Sequence, residues 1–558
     1  MRALIASACL MTAVSTAWAS DVAMVIPRPW SVTVTASAPV VLTANTALRM
    51  TGEGTKPIAD WLRPALAIAT GTTITEPATG ADAGNSDGIV LRLDPTLVID
   101  GPKWAQVEGY RLTIGDRRVE LTARTTHGLF NGATTLVQLA SRAGQLWSFP
   151  ALTITDRPRF QWRGLMLDVC RHFFTVAEVK RFIDLMAFHK FNRFHWHLTE
   201  DQGWRIEVKA KPKLTSVGAW RAESPTMGDR MKGDGQPYGG FYSHDDIRTV
   251  VAYAAERFIT VVPEIELPGH CAAAIAAYPE LGNHDMPGWQ APQVETQWGV
   301  IHHTLTPRDE TFAFIAQVFD EVLPLFPGEY VHIGGDEAPK DEWQKSPFAQ
   351  QVIKTNDLKD EHGLQSWFIK RVEGLLKQRG KRLIGWDEIQ EGGLSSTATM
   401  MVWRDLKWAK LALDHGNSVV MAPMSHTYFC FGEPGSPAGP LYQAQPGNPL
   451  PLETVYGFEP IPAGSSAAQA ANVLGVQGQL WSEYAWSQAK LEYRTWPRAC
   501  ALADVAWSPA ERDMGNFRQR LARHLTLLDR VQVNYRKDDG NPAQPDQSLE
   551  RTPRKPAP

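Results

Sequence analysis

Residues 330–337 read YVHIGGDE, an apolar run that ends in two glycines and two neighbouring acids. Read as a strand, it is short, shows no polar alternation and carries its charge at its C-terminal end. Seven other runs share that texture: RGLMLDV (163–169), RFHWHLT (193–199), ITVVPEIE (259–266), RLIGWDEI (382–389), TMMVWR (399–404), SVVMAP (418–423) and VLGVQGQLW (473–481). Continuous apolar strands are the signature of parallel strands buried on both faces. Helical patterns separate them. Thr175 and Glu178 form a capping box ahead of Val179, Phe182, Ile183 and Met186 at helical spacing. Thr306-Pro307 opens another helix with proline at its first position. Eight such units over about 320 residues predict an α/β fold built on a (β/α)8 barrel. An open doubly wound sheet would usually show a glycine-rich phosphate loop after its first strand, and none is present here.

Before the barrel the texture differs. Short alternating strands such as GIVLRLD (88–94) and RVELT (118–122) accompany a helical stretch, HGLFNGATTLVQL (127–139). They predict a smaller α+β domain over 20–157, with its boundary at Arg157-Pro158. Residues 1–19 read as a secretory signal: Arg2, then an apolar run, then the small-x-small site Ala17-Trp18-Ala19. The expectation is an exported protein, periplasmic or secreted. The barrel is expected over 158–535, followed by a polar, proline-rich, disordered tail over 536–558.

The composition excludes several partners. Of 558 residues, 43% are hydrophobic and 21% charged, so a large core is feasible. The net charge is −4 and no basic block occurs, which argues against a nucleic-acid role. No later stretch reaches the ~20 apolar residues of a membrane span. Of five cysteines, Cys9 lies in the signal. Cys170, Cys271, Cys430 and Cys500 match neither a zinc site nor a dense disulfide framework, and they read as buried small hydrophobes with one bridge left open. No cofactor motif is present, and the sequence sets no oligomeric state.

In such barrels the chemistry sits at the C-terminal strand ends. Those ends carry Arg171, Glu200, Asp201, Glu264, Glu266, His270, Asp336, Glu337, Trp386, Asp387, Trp403, Tyr428, Trp481 and Glu483. Carboxylates supply acid–base catalysis and hydrogen bonds to hydroxyls, while tryptophans supply flat apolar walls. Together they suit a sugar ring. Any one of these residues alone reads better as packing or as an exposed charge; their convergence on one mouth reverses that preference. The rival chemistry is a metal-dependent hydrolase, with His195 and His197 on one strand face completed by His270 and Asp336. Against it, that pair lies within a strand and no further histidine cluster follows, so no metal is expected and a chelator should leave activity unchanged. The adjacent Asp336 and Glu337 raise a problem of their own. Two-carboxylate glycosidases keep their carboxyls roughly 5–9.5 Å apart across one bond, whereas neighbours on a strand face opposite ways.

The ordered set IPRPW, RGLMLDVCRHFF, FHWHLTEDQGWRIE, VVPEIELPGH, HIGGDE, GWDEI, LWSE and ADVAWSP resembles the family 20 glycoside hydrolases, the β-N-acetylhexosaminidases. The resemblance covers most of the chain. It implies a small α/β domain before a catalytic barrel, and a retaining, exo-acting enzyme that removes terminal N-acetylglucosamine, with N-acetylgalactosamine as an open second sugar. Catalysis would be substrate-assisted, through an oxazolinium ion. The resemblance implies Glu337 as general acid and base, Asp336 as the partner of the acetamido N–H, and Tyr428 as donor to the acetamido oxygen. Arg171 and Glu483 would bind hydroxyls, Trp386, Trp403 and Trp481 would wall the pocket, and Glu200 and His270 would tune Glu337. Two positions depart from the family pattern. Glu200 stands where Asp is common, and Cys430 stands where relatives commonly show an Asp that holds hydroxyls. Cys430 keeps open a second reading, a catalytically weakened glycan-binding protein on the same scaffold.

Overall fold

The computed structural model describes residues 24–75, 87–143, 145–226, 229–430 and 450–537. The expected signal at 1–19 lies outside the described residues, as does the expected tail beyond Lys537. Eight parallel strands close into a barrel: β1 (Trp162–Asp168), β2 (Arg193–His197), β3 (Thr260–Glu264), β4 (Tyr330–His332), β5 (Arg382–Trp386), β6 (Thr399–Val402), β7 (Val419–Met421) and β8 (Val473–Gly478). Each pairs with the next, and β1 closes on β8 with Leu165 opposite Gly478. All seven residues of β1 are buried, which is why its sequence shows no alternation. One face fills the barrel and the other packs on the surrounding helices.

Every run read as a barrel strand is one, but several end early. The expected strand through Glu337 stops at His332. Gly334 and Gly335 follow with φ of +64° and +89°, a left-handed conformation that breaks the ladder and that glycine adopts without steric cost. A side chain at 334 would also collide with the Glu266 carboxyl. The Thr175–Glu178 capping box forms as expected. The helix expected to open at Pro307 begins instead at Asp309, with Arg308 as its N-cap.

The smaller domain is a six-stranded mixed sheet in the order Ser31–Val34, Leu152–Asp156, Tyr110–Gly115, Arg118–Ala123, Gly88–Leu93, Leu48–Thr51. Alternate residues of Tyr110–Gly115 and Arg118–Ala123 are buried, the pattern of a sheet covered on one face. Helices Lys56–Thr70 and Thr126–Leu139 supply the apolar side chains that pack with it in the core. The core runs on into the barrel without a break. Polar pins cross the same junction. Asp156 at the end of the sheet accepts bonds from Lys190 Nζ (3.0 Å), Tyr110 Oη (2.7 Å) and Trp507 Nε1 (3.0 Å), with Lys190 and Asp156 both buried. Removing one member of a buried pair leaves an uncompensated charge, which costs roughly 3–5 kcal/mol. Lys190→Met should therefore lower the melting temperature of the whole chain, because it unpins two bodies that share one core. An unchanged thermal transition would show that the apolar contacts alone hold them. Among the described residues no helix is long and apolar enough to cross a membrane.

Candidate active site

The two glycines after β4 carry the chain out of the strand and deliver Asp336 and Glu337 to the barrel mouth. Glu337 itself holds φ +44°, and His270 across from it holds φ +49°. Non-glycine residues in this region store strain that the surrounding structure must over-determine, and such residues cluster at functional sites. His270 Nε2 lies 3.7 Å from Asp336 Oδ2 and 3.6 Å from Glu337 Oε2, so one imidazole faces both acids. Asp336 is buried and its Oδ1 has no hydrogen-bond partner. Burial raises its carboxyl to about 7; His270 opposes that rise and the Glu337 charge adds to it.

On the other side of His270, Nδ1 lies 2.7 Å from Glu200 Oε1 and 3.0 Å from Asp201 Oδ2. Burial works against the charged ring, but these carboxylates outweigh it and hold His270 well above the ordinary histidine range. Glu200 also meets Arg171 Nη2 at 3.1 Å. Arg171 is oriented by Gln202, which accepts from its Nε at 2.9 Å, and its guanidinium lies 5.2 Å from the centre of the Trp481 ring. Burial raises the Glu200 carboxyl, yet Arg171 and His270 together keep it well below the usual range.

The aromatic residues gather as expected. Trp386, Trp403, Tyr428 and Trp481 belong to one apolar cluster that fills the barrel interior. Trp386 and Trp481 lie 5.8 Å apart, and Trp403 stacks on Tyr428 at 6.1 Å. Trp386 is floor more than wall: it is buried, and its Nε1 donates to Glu264 at 2.9 Å. Cys430 is half-buried against the same cluster. Burial and the nearby Glu483 push its thiol up to about 12. Glu483 is half-buried, its carboxyl raised by burial and drawn back by Arg171. Each site residue inferred from the sequence thus lies at the mouth or just beneath it. The four described cysteines are all free, so the open bridge is not formed.

The rival metal set does not gather at the mouth. His195 and His197 point into the barrel, where Glu264 meets both of them and His332 as well. His195, Glu264 and His332 lie close enough together to hold an ion, but this is a different set from the one the sequence suggested. Sequence reasoning also left three residues without a role. Gln202 orients Arg171, and its place right after Glu200 and Asp201 was the available signal. Glu266 is buried with neither oxygen hydrogen-bonded, and burial, reinforced by Asp336, pushes its carboxyl well up, toward the neutral form. Glu388 accepts from Trp403 Nε1 at 2.8 Å, and burial with Asp387 and Asp336 raises it too. Its position two residues after Trp386 in GWDEI was the available signal.

The sequence matches the family model described as glycosyl hydrolase family 20, catalytic domain, over residues 160–510, and that for domain 2 of the same family over 23–157. A β-hexosaminidase of Porphyromonas gingivalis is 41% identical over 88% of the chain, which spans 61% of that relative's length. A β-N-acetylhexosaminidase of Cellulomonas fimi is 33% identical over 92% of the chain and 95% of its own length. The exo-β-N-acetylglucosaminidase of Vibrio harveyi, solved in complex with N-acetylglucosamine, superimposes with a TM-score of 0.78 at 32% identity, covering 92% of this chain and 78% of that one.

Proposed function

The chain belongs to glycosyl hydrolase family 20, and on that premise we propose that it is a retaining exo-β-N-acetylhexosaminidase whose substrate supplies the nucleophile. The observation that carries the reading is the placement of Asp336 and Glu337 side by side against one imidazole, beside a pocket floored by tryptophans. Adjacent acids cannot flank one glycosidic bond, but they can divide the work. Glu337 protonates the leaving oxygen as the acetamido carbonyl oxygen attacks the anomeric carbon, forming an oxazolinium ion as the glycosidic bond breaks. Asp336 accepts the acetamido N–H through its unpartnered Oδ1 and faces the positive charge as the ring closes. The hydrogen bond from substrate favours the carboxylate form of a group that burial alone would protonate. Tyr428 donates to the acetamido oxygen. Glu337 then takes a proton from the water that opens the oxazolinium, restoring the acetamide on a sugar of unchanged configuration.

Arg171 and Glu483 hold the sugar hydroxyls, with the ring's apolar face on Trp481. N-acetylglucosamine is the sugar this pocket is proposed to take, since a structural relative was solved with it. The N-terminal sequence supports export. The reading is tested with an aryl N-acetyl-β-glucosaminide followed by proton NMR. The β-anomer should appear first and then mutarotate. Release of the α-anomer, or no turnover at all, would overturn it.

A further inference from the structure

We propose that His197 is a positioning residue for this reaction: a fixed imidazolium clamped between Glu264 and Glu200, which holds Glu200, and through it His270, in register beneath Glu337. This rests on the hexosaminidase reading above. Both ring nitrogens of His197 face carboxylate oxygens. Nδ1 meets Glu264 Oε2, and Nε2 lies 3.2 Å from Glu200 Oε2. Glu200 has no room for a proton of its own, and Glu264 is ringed by nitrogen groups. Glu200 Oε1 accepts the Asp201 N–H at 3.0 Å and lies 2.7 Å from His270 Nδ1, while Oε2 takes Arg171 Nη2 and His197. Glu264 Oε1 takes Trp386 Nε1 and lies 2.7 Å from His332 Nδ1, which itself accepts the Gly334 N–H at 3.1 Å. Its Oε2 takes His197, with His195 Nε2 at 2.9 Å as a close contact off the hydrogen-bonding direction. A carboxylate offers about four lone-pair positions, and those of Glu200 are all filled. A neutral His197 would turn a bare nitrogen toward one of these two carboxylates, and the ring and both acids are buried where that repulsion is unscreened.

Among the remaining groups around the ring, the acids Asp168 and Glu266 favour its charge and the Arg171 cation opposes it. From β1 come Asp168 and, just beyond it, Cys170 and Arg171; from its own strand, His195; from β3, Glu264 and, just past its end, Glu266, whose Oε1 is 3.8 Å from Nδ1. On the β8 side the neighbour is the uncharged Trp481 ring, with centroids 5.1 Å apart. Burial disfavours the charged ring, but Glu264 and Glu200 outweigh it and raise His197 to about 10. The result is an alternating line, Glu264, His197, Glu200, His270, that ends at Glu337. It also couples Arg171 to the catalytic acid through one shared carboxylate.

His197→Gln removes the charge and keeps an amide donor. Losing a buried cation makes the protonated form of every nearby group more favourable. Both limbs of the kcat/KM pH profile should therefore move to higher pH, by about one unit. A residue that only packs the barrel would lower the rate and leave the limbs in place, which would overturn the proposal. ¹⁵N-histidine NMR of the full chain gives a readout independent of turnover. At pH 8 one doubly protonated ring of the wild type should be absent from the variant; a His197 ring with one bare nitrogen would overturn the proposal as well. If the wild type turns over no N-acetyl substrate, the hexosaminidase reading fails, while the NMR arm still decides the charge of His197.

Discussion

Glu337→Gln is expected to reduce kcat/KM for an N-acetyl-β-glucosaminide by a factor of about 10²–10⁴, the usual contribution of a positioned general acid–base group. Glutamine fills the same volume and can still meet His270, but it carries no acidic proton for the leaving oxygen. The side chain is 21% exposed and lies at the mouth, outside the packed clusters, so the variant should melt with the wild type. The loss should depend on the leaving group. A natural glycan, whose departing alkoxide needs the proton, should suffer far more than an aryl glycoside with an acidic phenol. Steady-state kinetics on both substrate types measure this directly. Normal turnover in the variant, or an equal loss on both, would remove Glu337 from the role of acid.

Asp336→Asn should be nearly as severe, about 10²–10³ in kcat, which is the cost of removing one electrostatic partner of a developing charge. The asparagine amide can place a donor where Oδ1 now waits unpartnered, turning N–H against the substrate's own N–H. It also removes the negative charge that faces the oxazolinium. The effect should therefore fall mainly on kcat rather than on binding of the outer hydroxyls, which Arg171 and Glu483 hold. A variant with raised KM and unchanged kcat would place Asp336 in simple ground-state binding instead.

The barrel was legible because its strands are buried on both faces and therefore read as unbroken apolar runs. The same feature made the ends illegible. Apolar texture continues through Ile333 and past β4, and only the positive φ of Gly334 and Gly335 marks where the strand stops. The adjacent acids depend on that stop, since on a continued strand they would face opposite ways. His195 and His197 were legible as a same-face pair, but not their partners. Glu264 and His332 reach them because β2, β3 and β4 pair side by side, and spacing along one strand says nothing about its neighbours. Cys430 stood out in sequence as a weak hydrogen-bonding group. The structure places it half-buried against the tryptophan cluster beside Glu483, a thiol rather than a thiolate at neutral pH.

The central claim is that the substrate's acetamido group does the work of an enzyme nucleophile. The most direct test compares kcat/KM for an aryl N-acetyl-β-glucosaminide with that for the matching aryl β-glucoside, which differs only in carrying a hydroxyl at that carbon. The account predicts hydrolysis of the first and no enzyme-dependent hydrolysis of the second. Comparable rates on the two would contradict it, because Asp336 and Glu337 cannot supply both an acid and a nucleophile across one bond from their adjacent positions.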